Sequence, residues 1–248
     1  MSTLINTVGT SPMIVSEVFQ YVKNIDEKLK NIALIYTSDK EIEAGVMAVT
    51  GAVLSKYPDV HLYNYEIDIQ DIEDQSSFLH FLDFFAEVVK KEKEYGPIYL
   101  NVSGGRKVES IALSIYAGFA GVKTVYNVIH RDVRNFNDKY ERIKDLIMND
   151  FGNCNSEEAA RIIYNKRSRE YDPIFFPNPS NLVFLEISVL NMPESEKEMI
   201  RRCIEGIHLD DTDIEDFRIK AYADSGFITY DRHRTYATEL GNIILKML

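Results

Sequence analysis

The sequence predicts an α/β fold, a parallel sheet covered by helices on both faces, followed by a small helical domain that closes in a hairpin. Three observations predict it. Short apolar runs alternate with helix-period segments as far as about residue 130. Twice the step from run to helix is made by a glycine-bearing turn, Gly9-Thr10-Ser11-Pro12 and Ser103-Gly104-Gly105-Arg106-Lys107. From about Asp132 the alternation stops, and Pro173, Pro177 and Pro179 mark a linker with a boundary near Ser180.

Taken in order, Leu4 to Val8 reads as the first strand, and Ile14, Val15, Val18, Phe19, Val22, Ile25 and Leu29 form the buried stripe of the helix after it. Pro12 suits the first helical turn, and the Thr10 and Ser11 hydroxyls are placed to cap that helix or to meet a ligand. Asn31 to Thr37 is the second strand, and Ser38-Asp39-Lys40 caps a helix running to about Lys56. Val60 to Ile67 alternates as a third strand before a helix from about Gln75 to Glu94, which Gly96-Pro97 ends. Ile98 to Val102 is the fourth strand; Val108, Ile111, Ala112, Ile115 and Phe119 then recur at helical spacing, and Lys123 to Ile129 is the fifth strand.

In such a sheet a ligand sits beyond the carboxyl ends of the strands, where the strand order reverses. With the order 3-2-1-4-5, strands one and four are neighbours, and the two glycine-bearing loops face each other across one pocket. Glycines let the backbone approach a ligand closely, and the N–H groups at a helix start, helped by Arg106 and Lys107, attract an anion. A phosphate is the expected guest.

Tyr140, Ile143, Leu146 and Ile147 predict a further helix, and Ser156 caps another that runs to about Tyr164 and ends in the one dense basic cluster, Asn165-Lys166-Arg167-Ser168-Arg169. The tail from Asn181 reads as helices over Ser195 to Ile207 and Asp213 to Asp224, a strand, a turn and a strand from Gly226 to Thr238, and a last helix. That pattern resembles a winged helix-turn-helix. It holds eight Lys and Arg against thirteen Asp and Glu, so duplex DNA binding is not expected and a structural or dimerising role is. The expected division is therefore 1–132 for the ligand-binding domain, 133–180 for a helical connector and 181–248 for the tail.

Composition narrows the chemistry. The 248 residues carry 28 Lys and Arg, 39 Asp and Glu and a net charge of −11, so an anion needs a local pocket rather than a basic surface. Cys154 and Cys203 form no CxxC and the five histidines show no ligand spacing, so neither a metal nor another cofactor is expected. Met1 leads straight into a strand and no twenty-residue apolar span occurs, which predicts a cytoplasmic protein with no membrane segment. Neither loop fits GxxxxGK[ST] or GxGxxG, and Ser11 sits in no GxSxG elbow. His130-Arg131-Asp132 lacks the companions of a kinase catalytic loop, and the Arg202-x5-His208 spacing, similar to HEPN ribonucleases, is short enough to arise by chance.

The pairing of a strand that ends in Gly9-Thr10-Ser11-Pro12 with Asn101-Val102-Ser103-Gly104-Gly105-Arg106-Lys107 resembles the CARF domain of CRISPR-associated proteins, over roughly residues 1–130. The resemblance implies a Rossmann-like domain that dimerises and binds cyclic oligoadenylates across the subunit interface. Without a nuclease domain beside it, the chain is most similar to CRISPR ring nucleases, which degrade cyclic tetra-adenylate. That resemblance implies ligand contacts at Gly9, Thr10, Ser11, Ser103, Gly104, Gly105, Arg106, Lys107 and Arg167, with Ser11 orienting the ribose or phosphate and Lys166, or Arg167 in its place, meeting the developing charge or protonating the leaving group. The rival expectation is a transcription regulator that responds to the same ligand through its winged helix without catalysis.

Overall fold

A computed structural model describes the chain from Met1 to Leu248. Its main sheet contains β1 (Ser2–Thr7), β2 (Leu29–Thr37), β3 (His61–Ile67), β4 (Ile98–Asn101), β5 (Thr124–His130) and β6 (Leu182–Ile187), in the order β3-β2-β1-β4-β5-β6. The first five strands run parallel in the predicted order, and β1 lies beside β4 with Asn6 opposite Asn101.

The helices sort onto two faces because their apolar stripes do. On one face α1 (Met13–Ile25), α2 (Lys40–Lys56), α5 (Val133–Phe151), α6 (Glu157–Lys166) and α7 (Ser168–Phe175) share a core with Leu4, Leu34, Tyr99 and Tyr126. On the other, α3 (Gln75–Glu92) and α4 (Lys107–Tyr116) bury Phe81, Phe85 and Leu113 against Ile5, Ile35 and Leu100. Each such side chain is worth about 1.5–3 kcal/mol on burial. Caps set the boundaries: Asp39 accepts from the Glu41 and Ile42 N–H groups at the start of α2, and Ser156 accepts from the Ala159 N–H at the start of α6.

Three expectations need correction. The tail does not begin after the sheet ends, because Leu182–Ile187 pairs antiparallel with β5 as an edge strand, from His130 opposite Leu182 to Val125 opposite Ile187. Pro173 does not mark a loop: it lies inside α7, where burial of Tyr171, Ile174 and Phe175 outweighs the lost N–H. Thr10 and Ser11 do not cap α1, whose N-cap position is taken by Pro12 with no side-chain cap bond.

The rest of the tail is α8 (Glu194–Glu205), α9 (Asp216–Asp224), a hairpin of β7 (Ile228–Tyr230) and β8 (Thr235–Ala237), and α10 (Glu239–Met247). It does not stand apart. Ile200, Phe227, Ile244 and Met247 join the same buried cluster as α3 and α4. No helix is long and apolar enough to cross a membrane.

Candidate functional site

The two glycine-bearing loops meet at the carboxyl end of the sheet. Their strands are tied there by a buried amide pair, with Asn101 Nδ2 donating to Asn6 Oδ1 at 2.9 Å and Asn101 Oδ1 accepting from the Ser103 N–H at 3.0 Å. A Cβ on Gly9 would lie 3.3 Å from the Gly105 Cα and N. Any side chain on Gly104 would run into the Thr7 carbonyl, and one on Gly105 into the Glu109 carboxylate. Gly105 also holds φ at +74°, a conformation that favours glycine. The Thr7 hydroxyl completes the junction, donating to the Gly104 carbonyl at 3.0 Å.

The second loop opens α4 and holds its first turn in place. The Arg106 N–H donates to Glu109 Oε2 at 2.9 Å, and the Arg106 guanidinium reaches Asp71 at 3.1 Å. Lys107 is the first residue of α4 and is exposed. The Ser103 hydroxyl has a structural partner, accepting from the Val128 N–H at 2.7 Å and so joining this turn to β5. In the first loop the Thr10 carbonyl accepts from the Tyr140 hydroxyl of α5 at 2.6 Å, while Ser11 is half-buried next to it.

At the junction lies a cavity of about 190 Å³, lined by Thr10, Gly105, Arg106 and Glu109 together with Tyr36 and Phe81. Burial pushes the Glu109 carboxyl above its usual range, with the Arg106 N–H pulling it back. This is the place the parallel sheet reserves for a ligand. Gly9, Thr10, Gly105 and Arg106, expected as ligand contacts, line it, whereas Ser11, Gly104 and Lys107 lie beside it in chain order.

Lys166 and Arg167 are elsewhere. A Cβ on Gly45, in the second turn of α2, would lie 3.0 Å from the Pro12 ring, so the Ser11 loop sits at the start of that helix. Asn165, next to Lys166, lines a cavity with Ser55 and Lys56 at the end of the same helix. Ten residues of helix separate the two places, about 15 Å. Arg167 is also engaged, its Nε lying 3.0 Å from Asp150 Oδ2. Within one chain the basic cluster and the Ser11 loop therefore lie toward opposite ends of α2.

Sequence reasoning missed a second polar cluster. His130, set aside with its neighbours, places Nε2 3.1 Å from Glu17 Oε2 and packs its ring on Phe136 with centroids 3.7 Å apart. Glu17 is 2% exposed and its Oε1 has no partner. Burial pushes its carboxyl upward while His130 draws it down. The two residues lie 113 positions apart, so no local pattern announces the pair.

The family model for CRISPR-associated protein NE0113 matches residues 11–170, a span that takes in Ser11, the Ser103 to Lys107 turn and Lys166, and stops before β6. The CRISPR system ring nuclease SSO2081 of Saccharolobus solfataricus is 28% identical over 182 residues, covering 69% of this chain and 99% of that protein. Among solved structures, Enterococcus italicus Csm6 bound to cyclic hexa-2'-fluoro-hexa-dAMP aligns over 81% of the chain with a TM-score of 0.47 and 15% identity. The chain spans 45% of that Csm6 chain.

Proposed function

The chain belongs to the CRISPR-associated protein NE0113 family, and on that premise we propose that it is a ring nuclease, binding a cyclic oligoadenylate and degrading it. The observation that carries the reading is the junction of the two loops, Gly9 against Gly105, at a cavity and beside a helix start bearing Arg106 and Lys107. Such a junction suits a phosphate and its nucleoside.

The finer reading is a homodimer that takes cyclic tetra-adenylate, a ring with two-fold symmetry, across an isologous interface. An apolar face supports it: Ile111 and Ile115, one turn apart on α4 just beyond the anion-binding turn, are 51% and 63% exposed. In the reaction a ribose 2′-hydroxyl gives up its proton as its oxygen bonds to the adjacent phosphorus, the bond to the 5′-oxygen breaks, and that oxygen takes up a proton, so that no proton is gained or lost overall. Two such cuts give linear di-adenylates with 2′,3′-cyclic phosphates and would switch off type III CRISPR signalling. The nucleophile is supplied by the substrate, so in-line positioning and stabilisation of the charged phosphorane are what the protein must add, without a metal.

Ser11 holds the ribose or phosphate in this reading, and Arg106 and Lys107 stabilise charge. Lys166 enters it from the second copy, because in its own chain the neighbouring Asn165 lies by the end of α2, whereas the Ser11 loop lies by its start. Residues 133–187 belong with the ligand-binding body, and the remaining tail is a winged-helix-like cover for α3. Incubation with cyclic tetra-adenylate, with and without EDTA, tests the whole. Linear di-adenylates formed at equal rates are expected, intact ring would sink the enzymatic reading, and loss of cleavage in EDTA would sink the metal-independent one.

A further inference from the structure

We propose that the cavity at the two loops seats a purine base and that Glu109 reads its exocyclic amino group, which makes this residue the selector of adenine. The inference rests on the ring-nuclease reading and adds the specificity determinant to it.

Size comes first. At about 190 Å³ the cavity is smaller than the roughly 300–1,000 Å³ typical of sites that enclose a whole drug-sized ligand, so it suits one ring system rather than a nucleotide. Its apolar walls, Val8, Ile42, Ile67 and Phe81, suit the faces of a flat heterocycle.

Charge then sorts the parts of the ligand. Lys107 and the exposed start of α4 lie outside, where a phosphate remains hydrated and paired. Inside, Glu109, a residue only 7% exposed, lines the cavity together with Arg106, whose guanidinium is already paired with Asp71, so the wall offers no free positive charge to a phosphate. Glu109 Oε2 is already used, accepting from the Arg106 N–H at 2.9 Å. Oε1 makes no hydrogen bond within the protein, and the nearby guanidinium of Arg106 is drawn away to Asp71 at 3.1 Å. Capping α4 therefore accounts for one oxygen and leaves an acceptor on the cavity wall.

An acceptor on the wall of a pocket whose apolar side is Val8, Ile42, Ile67 and Phe81 calls for a donor on the ligand. The adenine amino group at C6 supplies one, whereas hypoxanthine has a carbonyl oxygen there and would set two acceptors against each other. Sites built to bond one polar group discriminate strongly against the analogue that lacks it.

The test is calorimetric titration of the full chain with cyclic tetra-adenylate and with its inosine counterpart. The wild-type protein is expected to bind the inosine ring at least about tenfold more weakly. Glu109→Gln is expected to keep its amide oxygen on the Arg106 N–H, turn its NH2 group into the cavity, and lose or reverse that preference. Equal wild-type affinities, or a Glu109→Gln protein that keeps the adenine preference, would overturn the assignment and leave the ring-nuclease reading standing. Failure to bind either ring would overturn that reading and this inference with it. Should Glu109→Gln not fold, as judged by its melting curve, the wild-type comparison decides alone.

Discussion

Ser11 is half-buried beside the junction and caps no helix, so its hydroxyl can be removed at little structural expense. Ser11→Ala is expected to slow single-turnover ring cleavage at least about tenfold, equivalent to roughly 1.4 kcal/mol of barrier, while binding measured by calorimetry survives. Lys166→Ala should slow it similarly. If the lysine acts across a dimer, mixing the two inactive proteins restores part of the activity, because one mixed dimer contains an intact site. A mixture that stays inactive would return the charge to Arg106 and Lys107. Glu17 yields a prediction of another kind. Burial raises its carboxyl pKa in the fold, and the His130 imidazole is the side chain bonded to it. The folded state then holds its proton more tightly than the unfolded chain does. Its contribution is therefore fully present below the unfolded value and is lost as pH rises through the folded one. Relative to wild type, Glu17→Gln should gain thermal stability as pH rises from about 4.5 toward neutrality; melting curves that stay parallel across that range would contradict it.

At the scale of elements the decisive unit is β4, its turn and α4. Gly105 has φ at +74° and faces Thr7 and Glu109 at once, so Gly105→Ala combines backbone strain with a collision. A cost of about 1–3 kcal/mol is expected from the strain. Thermal denaturation should register that loss, and ligand affinity should fall with it, because the turn that presents Arg106 and Lys107 would have to shift. Unchanged affinity would mean that the turn merely links strand and helix. The unit's position was legible from sequence, since two glycines and a basic pair between an apolar run and a helical stripe form a local pattern. The Asn6–Asn101 pair that ties the two loops was not, because an Asn in an apolar strand gives no hint of its partner.

For the whole molecule the question is whether the tail is a separate body. Its α10 packs on α3, Lys246 pairs with Asp83 at 2.6 Å and with Glu87 at 3.1 Å, and Lys93 Nζ donates to the Met247 carbonyl at 2.7 Å. Phe119 and Phe227 meet edge to face at 5.5 Å. A buried cluster that runs without a break from sheet to tail predicts one cooperative transition in calorimetry. Two resolved transitions, or a proteolytic fragment of the tail that stays folded, would show otherwise.

The sequence by itself determined the five strands, the two loops and the expectation of an anion at them, because periodicity, caps and glycine turns act over a few residues; the strand order was assumed from the usual arrangement of such sheets and is decided by the tertiary structure. Its division at Ser180 went astray for a related reason: the following strand is an edge, exposed along much of its length, and its partner lies more than fifty residues earlier in the chain. Only the tertiary structure decided that Glu17 meets His130, that Glu109 walls the cavity, and that Lys166 stands at the far end of α2 from Ser11. Those relations arise from packing between elements distant in sequence, where many arrangements satisfy the same local pattern and burial selects one.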